Sequence, residues 1–504
     1  MRRFLSLILA TTACSTPVLA GDAKIVLDTW DAAWLGDGKA GYVHTVTKEL
    51  ERDGKKVFHT TMELRLNVKR FDGAIQMAMD TGSIDTPDGK VLAVFMRQYL
   101  GKDKQLQVDG VVAGKQINLT LDGKQPLKPA PWNDEVLGLH KQQTIFKDRK
   151  IKPGDRFAYF SFEPSINLVL KTEVVAKGHR EVEIKGKGKK RLLLVETIPD
   201  KVEFRSGDKV DKIQLPVSQT WLDDDLEPVK SEVEIPGLGQ IVMYRTTKAD
   251  ALAPGPPANA TDLGFSQLVK LKNRILQPYD TTGAVYRISI QNDDNVATTF
   301  STDGRQEVKN VKGNAFELHV KAKRGPGTGA EKAPADEFTQ SSYFITSDDA
   351  KVKELARTAV GLEADAWRKA LRIERWVHDN MRFANHEALA TADHVARTLQ
   401  GDCTEYAMLT AAMCRAQGIP SRTAIGLIYA DVKEAPCFAF HMWTEVWAKG
   451  EWIALDATLG KGYVGATHLK ITDHSWHDER TMTPIFPVIR VVGRVSIDVL
   501  RAEN

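Results

Sequence analysis

Gly401-Asp402-Cys403-Thr404-Glu405 places a thiol where chemistry is feasible. Asp402 is a helix N-cap residue type, and Glu405 three positions later completes a capping-box pattern, so Cys403 is predicted at the first helical position. Free N–H groups and the positive end of the helix dipole favour a thiolate there. A packing cysteine belongs in mid-helix on an apolar face, as Cys414 does on the same predicted helix. That helix runs to Ala416 or Gln417 before Gly418 and Pro420 end it.

A base for this thiol is legible further on. Phe438 to Trp447 and Glu451 to Asp456 read as the strands of a hairpin around Lys449-Gly450. With those two residues as the turn, His441 falls opposite Thr458. Asp456 is then its diagonal neighbour on the same face, roughly 7–8 Å away between backbones. A carboxylate there accepts from one imidazole nitrogen and leaves the other to work outward, which is what an activated nucleophile requires. Singly, each residue has a plainer reading: a histidine in an aromatic strand is usually a satisfied core residue, and Asp456 could cap a strand end. A capped Cys followed by His and Asp on consecutive strands is the informative combination.

From about Ala364 to Leu469 the chain resembles the transglutaminase-like superfamily, relatives of the papain-like thiol enzymes. The resemblance is carried by Gly401-Asp402-Cys403-Thr404-Glu405, Gly418-Ile419-Pro420-Ser421-Arg422, Phe440-His441-Met442-Trp443-Thr444-Glu445-Val446 and Trp452-Ile453-Ala454-Leu455-Asp456-Ala457-Thr458. It implies Cys403 as nucleophile, His441 as base and later acid, and Asp456 as the residue orienting His441. The implied reaction is acyl transfer on peptide or protein amides through a thioester. Hydrolysis by water and transamidation by an amine both stay open, with hydrolysis slightly favoured. The calcium sites of animal transglutaminases have no recognisable counterpart, and no metal or cofactor is expected. The reading from another class is a non-catalytic binding or scaffold protein that keeps this fold. Trp443 beside the site reads as core packing, and Ala466 to Lys470 as a border of the cleft, with no role assigned to His468.

The elements around the site imply an α+β fold: a C-terminal transglutaminase-like core preceded by antiparallel β-rich regions. Residues 21–250 are strand-like, with turns such as Asp53-Gly54 and Asp122-Gly123, and read as one or two sheet units. Trp30, Trp34 and Tyr42 there read as core aromatics, and Lys185 to Arg191 as an exposed hairpin tip. Residues 251–262, with Pro254, Pro256 and Pro257, read as a linker, and 263–345 as a second β-rich region. The catalytic domain is expected over 346–470, its helices at Asp348 to Ala359, Ala364 to Met381 and Ala392 to Leu399 preceding the Cys403 helix. Residues 471–504 form an extension with a final strand.

Composition narrows the class. Over 504 residues, 69 basic against 66 acidic side chains leave a formal charge of +3, which argues against a dedicated nucleic-acid binder. Arg2 and Arg3 precede the apolar run Phe4 to Ala10, and Val18-Leu19-Ala20 supplies the small residues of a cleavage site. Export to the periplasm or outside, with cleavage after Ala20 and no membrane segment remaining, is therefore expected; lipidation through Cys14 is the weaker alternative. The mature chain would keep Cys403, Cys414 and Cys437. Cys403 and Cys414, eleven positions apart on one helix, are roughly 16 Å apart and cannot be bridged. A Cys414–Cys437 bridge and three unpaired cysteines remain open alternatives. His474 and His477, with Asp473, Asp478 and Glu479, have i, i+3 spacing but read as a solvated polar turn, and His378, His386 and His394 lack ligand spacing.

Overall fold

The computed structural model describes residues 23–70, 73–99, 105–123, 125–206, 209–236, 239–255, 267–327, 329, 331–384, 390–432, 435–477 and 483–504. The expected signal 1–20, Cys14, linker residues 256–262, His386, Asp478 and Glu479 lie outside the described residues. The fold is α+β. Among the described residues, no helix is long and apolar enough to cross a membrane.

Within residues 24–246 most strands form one antiparallel sheet in which neighbours in sequence mostly pair, while Val202–Ser206 and Lys209–Ile213 make a separate hairpin. The alternating burial of Gly38–Arg52 shows why: one side chain in two turns to the interior, as a pleated strand requires. Its turn to the next strand uses Asp53 and Gly54, both with positive φ, the pattern that matches strand twist in a two-residue hairpin. Strand Gly239–Thr246 returns to pair with Lys24–Leu35, while Val136 bridges Phe160 and draws the two ends of the path together. Trp30, Trp34 and Tyr42 are not core residues, contrary to expectation. They are half-buried, with the Lys185 ammonium 3.6 Å from the Trp34 ring and the Lys248 ammonium 5.5 Å from the Trp30 ring. Lys248–Leu252 is a short helix capped by Thr247, so Ala251 and Leu252, expected to open the linker, are helical.

From Val269 to Ile497 the chain shares one hydrophobic core. A four-stranded sheet centres on Gly283–Ile290, flanked by Ala315–Lys321 and by Val495–Glu503 from the far end of the chain. Four helices follow: α1 (Ala350–Val360), α2 (Ala366–Asn380), α3 (Ala392–Thr398) and α4 (Cys403–Ala416). Asp349 and Asp365 cap the first two by accepting from backbone N–H groups of their first turns. Ala370, Ile373 and Val377 give α2 a buried stripe at helical spacing. Helix α4 is different, buried over every position from Glu405 to Arg415, because α1, α2 and α3 enclose it on one side and a sheet on the other.

That sheet is built from β1 (Ser421–Val432), β2 (Ala435–Ala448), β3 (Glu451–Leu455) and β4 (His468–His474). Its order is Val269–Lys270, β2, β1, β4, with β3 also on β2. Strand Val269–Lys270 covers Cys437 and Phe438, and β3 covers Thr444 to Ala448. Between them the edge of β2 over 439–443 has no strand partner among the described residues.

Candidate active site

Cys403 opens α4 as predicted. Asp402 accepts from the Thr404 N–H at 2.9 Å, and Glu405 accepts from the Asp402 N–H at 2.9 Å, so both halves of the capping box are present. Glu405 also accepts from the Ala390 N–H at 3.0 Å, tying the approach to α3 to the same helix start. These bonds leave the Cys403 N–H out of the cap. Helix α4 packs against β2, and the His441 side chain and the Met442 backbone both act to lower the pKa of the Cys403 thiol.

The electrostatics run against a helix dipole acting alone, and the Cys403 pKa stands above the ordinary thiol value. Burial and the Asp402 carboxylate push the Cys403 thiol up, while His441 pulls it down. Burial opposes charge on His441, yet Asp456 and Cys403 hold its pKa well above the ordinary imidazole value. A thiolate at Cys403 thus depends on a protonated His441 beside it, not on the helix start by itself.

Lys449 and Gly450 form the hairpin turn with positive φ, and the register is the predicted one, from Ala448 opposite Glu451 to Thr444 opposite Leu455. The ladder stops there, so His441 does not pair with Thr458. Asp456 captures the Thr458 N–H at 2.9 Å and hydroxyl at 2.6 Å, and its own carbonyl accepts from the Leu459 and Gly460 N–H groups. This Asx-type turn carries the backbone off the strand and swings the carboxylate towards His441. His441 Nε2 donates to Asp456 Oδ2 at 2.7 Å, leaving Nδ1 for the thiol proton. His378 Nδ1 sits 3.0 Å from the Ala457 carbonyl and Glu374 accepts from the Gly462 N–H at 3.0 Å, so α2 anchors the turn from below. The indole of Trp443 is buried against Ala424, Ala454 and Val464 and lies nearly parallel to the His441 ring, centroids 6.3 Å apart.

One residue of this constellation was missed by sequence reasoning. His468, fully buried at the start of β4, has Nε2 3.0 Å from the same Asp456 Oδ2. The signal was present in the alternation of His468 and Lys470, two polar groups on one face of a strand. Burial lowers its pKa to about 4 against the pull of Asp456, so the ring is neutral at physiological pH. Asp456 would be raised by burial, but His441 and His468 hold it far below the usual carboxylate range.

Behind this group lies a second buried set. The Lys470 ammonium contacts Glu445 at 3.0 Å, Asp473 at 3.2 Å and Asp303, while Arg422 pairs with Glu445 at 2.7 Å and Asp473 at 2.8 Å. Asp473 and His474 therefore belong to β4 and not to a solvated turn. An irregularity at Ile471 turns Asp473 to the face of Lys470 and against two cations, which a spacing search cannot see. Burial alone would lower the Lys470 pKa, but the three carboxylates hold it above its ordinary value. Lys470→Met strands these acids with one fewer cation and is expected to cost about 3–5 kcal/mol in denaturant unfolding. A loss under about 1 kcal/mol would show the network to be dispensable.

Among the described residues Cys403, Cys414 and Cys437 are all free. Cys414 packs in the core with α4 and Met442, whereas Cys437 donates to the Ala430 carbonyl and lies outside that core, so the Cys414–Cys437 bridge does not form. The ligand atoms of His441, Asp456 and His468 lie within 4.8 Å of one another, close enough for a cation. The donor set fits hydrogen bonding better. Metal on His468 Nε2 would put the hydrogen on Nδ1, which is buried and has no partner.

Residues 353–457 match the Transglutaminase-like superfamily, so the C-terminal region carries a transglutaminase-like domain. A comparison with curated proteins finds no match. Three solved structures share partial overlaps. A candidate cysteine protease from Cytophaga hutchinsonii is 18% identical, with TM-score 0.29 over 43% of this chain and 83% of its own. A β-barrel-like domain of unknown function from Brucella abortus is 13% identical, with TM-score 0.29 over 44% of this chain and 98% of its own. A candidate protease from Parabacteroides distasonis is 12% identical, with TM-score 0.19 over 76% of this chain and 68% of its own. None of the three bears on the chemistry below.

Proposed function

We infer that the protein is an exported cysteine-dependent acyl-transfer enzyme acting on peptide or protein amides, with Cys403, His441 and Asp456 as its catalytic residues. The observation that carries this reading is the 2.7 Å bond from His441 Nε2 to Asp456, which leaves Nδ1 for Cys403 at the capped start of α4. The unpaired edge of β2 over 439–443 supports a peptide substrate, since an extended backbone can pair with it beside His441. Arg2 and Arg3 before the apolar run Phe4 to Ala10, with Val18 and Ala20 at the two cleavage-site positions, support delivery outside the cytoplasm.

The Cys403 thiolate attacks the amide carbonyl, and the Cys403 N–H, left free by the cap, faces the oxyanion that forms. The tetrahedral intermediate collapses as His441 imidazolium gives its proton to the departing amine, leaving a thioester on Cys403. Water, losing its proton to His441, then attacks the thioester, releases the acid and restores the thiol. A primary amine in place of water gives a new amide instead.

The test is incubation of the full chain with glutamine peptides and a labelled primary amine. Amine incorporation identifies a transamidase, and ammonia or peptide-bond cleavage without incorporation a hydrolase. No Cys403-dependent product and no trapped thioester over a broad peptide panel would favour the non-catalytic reading.

A further inference from the structure

His468 is a fully buried imidazole that the mechanism above does not use. Resting on the acyl-transfer reading, we propose that His468 is a positioning residue, a neutral hydrogen-bond donor that fixes the Asp456 carboxylate from behind while His441 draws on its front.

An ionised carboxylate only accepts, so every group against Asp456 must present a hydrogen. Oδ1 receives the N–H and hydroxyl of Thr458, and Oδ2 receives Nε2 of both His441 and His468. The orphaned Nδ1 of His468 agrees with this, because a bare lone pair is cheaper to bury than an unpaired N–H. The neutrality of the donor matters. A cation at this place would compete with His441 for the same charge, whereas a neutral N–H restrains the carboxylate and leaves its charge for the imidazolium.

The donor is itself held in place. Arg305, from the sheet preceding the helices, donates to the His468 carbonyl at 3.2 Å and the Gly465 carbonyl at 3.0 Å. From the strand Gly283–Ile290 of the same sheet Tyr286 donates to the Ala466 carbonyl at 2.9 Å, and Thr467 donates to the Pro278 carbonyl at 2.7 Å. The edge of Trp443 closes the remaining side, ring centroids 5.4 Å apart at 86°. The β-rich region before the helices thus reaches the reacting groups through one residue.

The test uses the full chain with His468→Leu and His468→Gln, reading iodoacetamide alkylation of Cys403 against pH together with the melting temperature. Leucine fills the space without a donor, and glutamine keeps one. The expected result is a slowing on the order of 10–100-fold for His468→Leu at neutral pH, the scale seen when a histidine network loses an orienting partner. His468→Gln should recover most of it at similar thermal stability. Equal rates for all three proteins, or equal slowing in both variants, would overturn the proposal. Should the leucine variant not fold, nitrogen-15 histidine spectra of the wild type decide the matter. One histidine should stay neutral with its hydrogen on Nε2 from pH 5 to 9, and a charged or Nδ1–H form of His468 would overturn it. A wild-type thiol indifferent to His441→Ala would sink the acyl-transfer reading instead, so the two failures are distinguishable.

Discussion

Cys403→Ser is expected to abolish the burst of nitrophenolate that the wild type releases from p-nitrophenyl acetate, lowering acylation by about 10⁴-fold or more. The wild-type burst should approach one equivalent, since Cys414 and Cys437 are buried and burial pushes the Cys414 thiol up to about 12. Serine keeps the shape of the helix start and suits its first turn, so the melting temperature should move by only a few degrees. Its hydroxyl, however, cannot form the ion pair with His441 that a thiol can. A burst that survives in Cys403→Ser would place the reacting group elsewhere.

The second large effect is expected at Asp456. Four donors converge on this carboxylate, and an amide can satisfy only part of them. In Asp456→Asn, keeping the oxygen towards the histidines turns the NH₂ onto the Thr458 N–H. The reverse orientation turns the NH₂ onto His441 Nε2, which must then accept, moving the hydrogen to Nδ1 where the thiol proton should go. Either way His441 is displaced or holds the wrong tautomer, and the loss in acylation should be about 10³–10⁴-fold. Stability should also fall by about 1–3 kcal/mol, because a buried donor is left unpaired. The wild type carries the complementary pH signature. Its Asp456 is depressed, so that part of its stability is present above the unfolded carboxylate range and lost only as pH falls towards the folded value. A fully active Asp456→Asn would contradict this account of His441.

The residues that local rules govern were the legible ones. The capping box at Asp402 and Glu405, the Lys449-Gly450 turn and the hairpin register all follow from short-range chemistry, and the structure has them as predicted. What was not legible depends on long-range contact. The ladder ends at Leu455 because Asp456 prefers its own turn to one more pair. His468 and Asp473 matter through Asp456 and Arg422, on other segments, and Arg305 and Asp303 reach the His468 carbonyl and Lys470 from more than a hundred positions earlier. The thiolate expectation for Cys403 considered the helix start and omitted burial, which opposes it.

The most direct measurement is the rate of Cys403 alkylation by iodoacetamide as a function of pH, in the wild type and in His441→Ala. The imidazolium lowers the Cys403 pKa, so its removal leaves burial and Asp402 acting upward. The account predicts a wild-type thiol that reacts at neutral pH and a His441→Ala thiol that reacts only well above about pH 8. Coincident profiles for the two proteins would contradict it.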